Sequence, residues 1–172
     1  MTQEDKVFLN LAGEFAVASE LNRRRALASV TYGASKSADV FVLNADMTKV
    51  VRVEVKTTGT GKWVVGEKAT REPSSDRSIF WVLVKLPQPL DAPATDDSVR
   101  GRHAPRYFVL SAREMHQVWR KKAEVYRAAY RGRHGREFEG IGVPNVTLEG
   151  VAAFENRWHT ILHTLESRGD RE

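Results

Sequence analysis

The sequence of 172 residues contains no cysteine, which excludes two classes of structure. Neither a disulfide framework nor a cysteine-ligated zinc site can form without this residue. A chain without disulfides suits a reducing compartment, and we therefore expect a cytoplasmic protein. The first residues also lack the positive segment and apolar run of a secretory signal peptide, so no such peptide is predicted.

Long apolar runs are absent as well. The run at residues 79–86 is far shorter than the roughly 18 residues that a membrane-spanning helix needs, and we expect no membrane partner. Apolar residues make up 41% of the chain, which is ordinary for a soluble globular protein and enough for a hydrophobic core. The length predicts a single domain over residues 1–172.

Acidic residues are fewer than basic ones, with 22 Asp and Glu against 27 Lys and Arg, a net charge of +5 and a pI of about 9.6. This surplus favours a polyanionic partner. Basic side chains at a phosphate backbone position a nucleic acid without reading its sequence. The candidate contacts to such a partner are Arg23, Arg24, Arg25, Lys36, Arg120, Lys121, Arg131, Arg133 and Arg136.

The clearest strand signal lies at residues 50–58, where valines alternate with charged residues. Side chains two positions apart share a face of a strand, so Glu54 and Lys56 project together. Residues 39–43 predict a second strand, and a hairpin between the two strands would bring Asp39 beside Glu54 and Lys56. Two carboxylates and one ammonium group suit a magnesium and water site.

The remaining segments alternate between helices and strands. Further strands are predicted at 28–32, 79–86 and 106–110, and residues 87–105 predict a long surface loop. A first helix is expected at about residues 4–24, with Glu14 on the shoulder of its buried stripe. That stripe is formed by Phe8, Leu11, Ala12, Phe15, Ala18 and Ser19.

A second helix begins after Ser111, because Ser111 and Glu114 have the spacing of a capping box. It is expected to end at about residue 130, before a glycine-broken arginine loop at 131–136, and residues 137–150 are expected to be a connector. The inward positions predicted for this helix are Met115, Val118, Trp119, Val125 and Ala129. A C-terminal helix is predicted from Phe154, Trp158, Ile161, Leu162 and Leu165.

Three short motifs follow one another along the chain. They are Gly13-Glu14 in the first helix, the small-residue segment 34–38 leading into Asp39, and Glu54-Val55-Lys56 on the strand after the hairpin. In this order they resemble the motifs of the PD-(D/E)XK nuclease superfamily, in its Holliday-junction-resolvase-like and homing-endonuclease-like branch. Ala38 stands where the proline of the superfamily's name precedes the aspartate. The likeness covers roughly residues 10–112.

This resemblance implies an α/β fold with a restriction-endonuclease-like core over about residues 4–131. A central mixed β-sheet would be flanked by helices, and a C-terminal helical extension would occupy about residues 147–168. The resemblance also implies a magnesium-dependent endonuclease that hydrolyses phosphodiester bonds of DNA and leaves 5′-phosphate and 3′-hydroxyl ends. Because duplex cleavage needs two active sites, we expect a homodimer.

The same resemblance assigns the site residues. The catalytic residues would be Glu14, Asp39, Glu54 and Lys56. Asp39, Glu54 and the backbone carbonyl of Val55 would bind Mg²⁺, for which Mn²⁺ can substitute.

Two other functions stay open from the residues alone. A nuclease-like fold can serve as a non-catalytic nucleic-acid-binding or subunit-interaction module, with Asp39, Glu54 and Lys56 left as a surface polar cluster. A basic adaptor for an acidic protein would need only the charged surface. Metal dependence separates the enzyme from both alternatives.

Two of the basic and titratable patterns also have simpler interpretations. The arginines at 23–25 suit the negative end of the first helix dipole, and the basic positions of the second helix suit a solvated face. His159 and His163 are four residues apart on one helix, a spacing that can bind zinc, but the sequence offers no evident third ligand.

Overall fold

The fold is described from a computed structural model, which covers residues 2–31, 38–87 and 104–167. The predicted loop at 87–105 and the predicted contact Lys36 fall almost wholly or wholly outside these ranges. The elements are α1 (Gln3–Arg23), β1 (Leu27–Val30), β2 (Val40–Leu43), β3 (Val50–Thr58), β4 (Lys62–Val64), a 3₁₀ helix (Glu67–Ala69), β5 (Ile79–Lys85), β6 (Arg106–Ser111), α2 (Ala112–His134), β7 (Asn145–Thr147), α3 (Leu148–Val151), a second 3₁₀ helix (Ala152–Phe154) and α4 (His159–Glu166).

Five strands form a mixed sheet in the order β1-β2-β3-β5-β6. The first three strands are antiparallel to one another, β5 runs parallel to β3, and β6 runs antiparallel to β5. The short strands β4 and β7 pair separately as a two-stranded ribbon. The predicted α/β architecture, a mixed sheet flanked by helices, is therefore confirmed.

One face of the sheet is apolar and is covered by α1 and α4. The valines of β3 at positions 51, 53 and 55 lie on this face and are almost fully buried, as their alternation predicts. They share one hydrophobic cluster with Val17 and Leu21 of α1 and with Ile161 and Leu165 of α4. The C-terminal helix is thus part of the core around the sheet, where the sequence had predicted an extension.

The opposite face of β5 and β6 is covered by α2 and by the β4–β7 ribbon. Trp81 and Phe108 on this face pack with Met115 of α2 and with Trp63 of β4. The indole N–H of Trp63 donates to the carbonyl of Val84 at 3.0 Å, and its ring meets Phe108 edge-on. The ribbon is therefore anchored to the sheet by a buried tryptophan.

The buried face of α1 differs from the predicted stripe. Phe8 is 64% exposed and Phe15 is 48% exposed, and Ala12 and Ser19 are exposed as well. The helix instead buries Gly13, Val17, Ala18 and Leu21, so only Ala18 of the predicted stripe is buried and Leu11 is half-buried. The helix is rotated because a glycine allows it to approach β3 closely on that face.

Helix α2 is longer than predicted and less buried. It continues to His134 and ends at Gly135, whose φ of 65° is left-handed, so most of the predicted loop at 131–136 is helical. The capping box at Ser111 and Glu114 is confirmed, with both reciprocal hydrogen bonds present. Val125 and Ala129 were expected to face inward but are exposed, because the second half of this helix extends beyond the sheet.

Residues 137–150 are more than a connector, because they contain β7 and the start of α3. The predicted C-terminal helix is also interrupted. Phe154 ends a 3₁₀ turn, Asn156 has a left-handed φ of 54°, and α4 begins only at His159. In the part of the chain that is described, no helix is long and apolar enough to cross a membrane.

Candidate functional site

Asp39 lies directly before β2 and faces the neighbouring strand β3. Its backbone N–H donates to the carbonyl of Val53 at 3.0 Å, and its carboxylate Oδ2 accepts from the N–H of Val55 at 2.7 Å. The side chain thus supplies the acceptor that a longer β2 would have offered to β3. The hairpin predicted from the sequence does bring Asp39 to the edge of the Glu54-Val55-Lys56 motif.

Glu54 is held between two lysines. Its Oε1 accepts from Lys56 Nζ at 2.8 Å and its Oε2 accepts from Lys68 Nζ at 2.7 Å. Lys56 lies two positions along the same strand, as the alternation predicts, whereas Lys68 comes from the 3₁₀ helix after β4. Only 12% of the Glu54 side chain is exposed, so the carboxylate is buried with both charged partners in contact.

The electrostatic setting of Glu54 favours its charged form. Burial alone would raise the pKa of Glu54, but the ammonium groups of Lys56 and Lys68 outweigh burial and hold the pKa below its ordinary value. Glu54 is therefore a carboxylate at neutral pH, and its charge is balanced within the folded chain.

Asp39 and Glu14 show the opposite behaviour. Burial and the nearby charge of Glu54 raise the pKa of Asp39, although the hydrogen bond from Val55 opposes this effect. Burial raises the pKa of Glu14, and so does repulsion from Asp39 and Glu54, while Lys56 lowers it. The four predicted catalytic residues thus interact electrostatically, and the structure brings Glu14, Asp39, Glu54 and Lys56 into one cluster.

A close contact between α1 and β3 positions Glu14. A Cβ added to Gly13 would lie 1.9 Å from Thr57 Oγ1, which is far inside van der Waals contact. Only glycine allows the helix backbone to lie this close to the strand at that position. Since Glu14 is the next residue, the approach of α1 at Gly13 sets the position of its carboxylate relative to β3.

The polar side of β3 borders an open groove of about 750 Å³. Its floor includes Glu54 and Lys56, one wall is formed by Lys6 and Asn10 of α1, and the other wall includes Lys62 of β4. The groove suits an anionic ligand, because four lysines from four elements line it, at positions 6, 56, 62 and 68.

The oxygen atoms of this cluster suit a hard divalent cation if the ion pair between Glu54 and Lys68 is broken. Asp39 Oδ1 receives no hydrogen bond from the described residues, and carboxylate oxygens are the ligands that Mg²⁺ prefers. Within those residues, however, no three His, Asp or Glu side chains form a ready metal site. A cation held by Asp39, Glu54 and the Val55 carbonyl would take the place of Lys68, whose side chain is half exposed.

The arginines at the end of α1 are separate from this cluster. Arg23 pairs with Glu20 at 2.7 Å, and Arg24 contacts the same carboxylate and lies over the ring of Trp158. At 1.5 Å per residue, Arg24 is about 15 Å along the helix from Glu14. Arg23 and Arg24 therefore stabilise the end of α1, and Arg25 is exposed beside them with a left-handed φ of 63°.

The basic residues of α2 do not form one surface. At 100° per residue, Arg120 and Arg131 lie on one side of the helix, and Lys121 and Arg133 point in two further directions. Arg120 pairs with Glu124 at 3.6 Å, Arg131 pairs with Glu137 at 3.0 Å, and Arg136 is exposed in the segment that follows the helix.

His159 and His163 are exposed on α4. No described Asp, Glu or further His joins them as a metal-binding group, so the structure offers no third zinc ligand in the part of the chain that it describes.

Lys68 is the residue of this cluster that sequence patterns did not identify. It contacts Glu54 as closely as Lys56 does, but it lies in the polar segment between β4 and β5, where no periodicity marks it. Its only signal in the sequence is that it is a lysine ten residues after the strand predicted at 50–58. Neither protein-family models nor curated proteins nor solved structures give a match to this chain.

Proposed function

We propose that this protein is a magnesium-dependent DNA endonuclease of the PD-(D/E)XK type. The observation that carries the proposal is the cluster of Asp39, Glu54 and Lys56 at the edge of β3, with Glu14 coupled to it from α1. These four residues come from separate segments of the sequence. A surface with no function gives no reason for three carboxylates to share one site in which two of them have raised pKa values.

The topology supports the same proposal. The structure has a helix with Glu14 and then three antiparallel strands, with Asp39 before the second and the Glu-x-Lys motif on the third. This order within a mixed sheet flanked by helices agrees with the arrangement that the sequence resemblance implies. We infer a restriction-endonuclease-like core on this basis. The crossover from β3 to β5 contains β4 and a 3₁₀ helix, and β4 pairs with β7 to add the two-stranded ribbon to that core.

The residues have distinct roles in this proposal. Asp39 and Glu54 would hold a cation together with the Val55 carbonyl, and Lys56, two positions after Glu54 on β3, would orient the attacking water. Glu14 contributes a third carboxylate, through a bound water or a second cation. When bound, Mg²⁺ neutralises the charge that develops on the scissile phosphate. Lys6 and Lys62 at the groove walls hold the flanking phosphates.

DNA is the proposed substrate because the chain is basic and the groove around Glu54 is lined by lysines. We propose a homodimer for cleavage of both strands of a duplex, and a cytoplasmic place of action is supported by the absence of cysteine.

One nuclease assay tests this function. Wild type, Glu54→Ala and Lys56→Ala are incubated with supercoiled plasmid, a four-way junction and single-stranded DNA, in Mg²⁺, Mn²⁺ or EDTA. We expect metal-dependent cutting by the wild type and at least about a hundred-fold slower cutting by both variants. Circular dichroism of each variant shows whether it is folded, and Arg71→Ala serves as a nearby control that loses an exposed cation.

A specific observation favours a second candidate function, a non-catalytic DNA-binding module. Both oxygens of Glu54 already accept hydrogen bonds from lysines, so the motif is complete as an ion-pair cluster. This candidate predicts no cutting with either metal and DNA binding that survives Glu54→Ala. Metal-dependent cutting that both variants lose would exclude it.

A further inference from the structure

A second groove lies on the far half of α2, away from the carboxylate cluster. After the left-handed Gly135 the chain reverses, and an ion pair between Arg131 and Glu137 holds it against the helix at 3.0 Å. Phe138 then packs edge-on against Tyr126 and Tyr130, at ring-centroid distances of 5.2 and 5.1 Å. The returning segment and the helix enclose an open groove of about 220 Å³.

The walls of this groove are aromatic and apolar. Trp119, Tyr126 and Phe138 line it, and Tyr126 is 47% exposed although its ring packs against Phe138. Val143, which also lines the groove, is 68% exposed. Exposed aromatic and apolar side chains that surround a cavity of this size mark a binding surface.

The polar groups of the groove are cationic. Lys122 and Arg127 line it, and no carboxylate of the described residues pairs with either of them. Lys122 Nζ donates instead to the side-chain carbonyl of Asn145. Burial and repulsion from Lys62 lower the pKa of Lys122, so its positive charge is not relieved within the fold. An anionic ligand would relieve it.

The composition of this part of the chain agrees with that reading of the charges. Residues 112–145 contain eight Lys and Arg but only four Glu, and hence most of the net charge of the chain. Three of these four glutamates, at positions 114, 124 and 137, already pair with arginines outside the groove wall.

The β4–β7 ribbon connects the two grooves. Lys62 lines the groove around Glu54, and repulsion from its charge lowers the pKa of Lys122. On the ribbon, Val64 lies opposite Asn145, which lines the second groove and accepts the hydrogen bond from Lys122. A strand of nucleic acid that leaves the carboxylate cluster past Lys62 would therefore meet Lys122 at the second groove.

We propose that the groove between α2 and residues 138–145 binds unpaired nucleotides of a DNA strand, with a base stacked on the aromatic wall and its phosphates on Lys122 and Arg127. This proposal rests on the proposed function, because it assigns the bound strand to the substrate of the carboxylate site. The substrate class is DNA with a single-stranded portion next to the cleaved bond, such as a flap, a junction or a distorted duplex.

An unpaired nucleotide uses both properties of the groove. Aromatic side chains bind the face of any base, and cations bind the backbone that carries it. The bases of an intact duplex are stacked on one another and do not present such a face. An acidic peptide would use the cations but not the aromatic wall, and it is the other occupant that the experiment distinguishes.

The test measures binding of a fluorescein-labelled oligothymidine strand and of a blunt duplex by fluorescence anisotropy in EDTA, where no cutting occurs. Tyr126→Leu keeps an apolar side chain against Phe138 but removes the ring, and we expect it to weaken strand binding about ten-fold. Tyr126→Phe keeps the ring and should bind like the wild type. Both variants should bind the blunt duplex as the wild type does.

The cationic half of the groove is tested by Lys122→Gln combined with Arg127→Gln. Two lost phosphate contacts should reduce the slope of log affinity against log salt by about 1.4 for the single strand. Arg71→Gln combined with Arg113→Gln is the matched control, because it removes two exposed cations that do not line this groove and should leave that slope nearly unchanged.

Three results would overturn the proposal. They are unchanged strand binding by Tyr126→Leu, equal losses for single strand and duplex in that variant, and displacement of the strand by polyglutamate in wild type and Tyr126→Leu alike. Since binding is measured without metal, it is independent of cleavage. A chain that binds the strand through Tyr126 but cuts nothing would retain this groove and refute the endonuclease.

Discussion

Glu54 on β3 and Asp39 before β2 are neighbouring, partly buried carboxylates with different partners. Glu54 has a lysine on each oxygen, and these ammonium groups hold its pKa low despite burial. The carboxylate of Asp39 accepts one backbone hydrogen bond, and burial and the charge of Glu54 raise its pKa. Burial also raises the pKa of Glu14. On the Glu54 side of the site, the negative charge is balanced by lysines of the folded chain. On the side of Asp39 and Glu14, the site carries excess negative charge.

This difference gives the two carboxylates opposite effects on stability. The balanced side contributes to stability, because removal of Glu54 would leave two lysines facing each other. The unbalanced side reduces stability at neutral pH, and its natural counterpart is a cation from outside the chain. A site that is less stable than its isosteric neutral version is what one expects where residues are retained for function.

The largest effect is expected from Asp39→Asn. The amide still accepts the hydrogen bond from Val55 but cannot bind a cation as a carboxylate does, so cutting should slow by about a hundred-fold or more. Stability should change in the opposite direction. The raised pKa means that the native state binds more protons than the unfolded state above pH 3.8, so Asp39 lowers stability as pH rises.

Urea unfolding in EDTA checks this sign. At pH 7 the free energy of unfolding of Asp39→Asn should exceed that of the wild type, and the difference should disappear as the pH falls below 3.8. A variant that is less stable than the wild type at pH 7 would show that the Asp39 carboxylate stabilises the fold, as we expect for Glu54.

Gly13→Ala should destabilise the protein by about 2–3 kcal/mol, because the new Cβ would overlap Thr57 and force α1 away from β3. Thermal and urea unfolding measure this loss. The matched control is Thr57→Ala, which removes a buried hydroxyl that has no hydrogen-bond partner among the described residues and should be close to neutral.

The double variant Gly13→Ala with Thr57→Ala should recover part of the loss, since the two side chains no longer compete for the same space. Fully additive effects would contradict the contact. The displacement of Glu14 should also remove its repulsion of Asp39, so the Asp39→Asn gain in stability should be smaller in the Gly13→Ala background.

Glu54→Gln should destabilise the protein by about 1–2 kcal/mol at pH 7, through loss of two charged hydrogen bonds to partly exposed lysines. The sign with pH is opposite to that for Asp39. The lowered pKa of Glu54 gives stability that is fully present above pH 4.5 and is lost as the pH falls through the native pKa.

The deficit of Glu54→Gln should therefore shrink in acid, as measured by urea unfolding at a series of pH values. A deficit that is constant with pH would assign it to packing, and the difference between Glu54 and Asp39 would then not be electrostatic.

The smallest effect is expected from Lys68→Gln. With Lys68 removed, Oε2 of Glu54 is available, and Mn²⁺ should bind about five-fold more tightly, the equivalent of roughly 1 kcal/mol for a half-exposed ion pair. Electron paramagnetic resonance of free Mn²⁺ measures this affinity. Arg71→Gln removes a cation three residues away, which pairs with Glu67, and should change the affinity less.

Local patterns predicted the strands and the pairing that bring the carboxylates together. The alternation at 50–58 identified the side of β3 that carries Glu54 and Lys56, and the serine before α2 identified its first residue. These features succeed because strand periodicity and capping depend on residues that are close in sequence.

The buried face of α1 could not be predicted in this way. Apolar residues occur on several sides of this helix, so the spacing of Phe8 and Phe15 was as good a stripe as that of Val17 and Leu21. The choice depends on the contact at Gly13 with a strand more than forty residues later in the sequence. The prediction had used Gly13 only as part of a motif.

Lys68 and β7 were missed for a related reason. Lys68 reaches Glu54 through a crossover without periodicity, and β7 has three residues, which is too short for a pattern. The groove on α2 depends on the reversal at Gly135 and on the packing of Phe138, which place residues from two segments on one surface. Such placement follows from tertiary contacts.

The parallel pairing of β3 with β5 has a consequence for the order of folding. Short connections join the strands of the β1–β3 meander, whereas β3 and β5 are separated by the longer crossover that carries Lys68. Closing this longer loop costs entropy before any contact compensates for it. We therefore expect the Glu54–Lys68 contact to form after the meander, so that a partly folded chain has Asp39, Glu54 and Lys56 together before Lys68 pairs with Glu54.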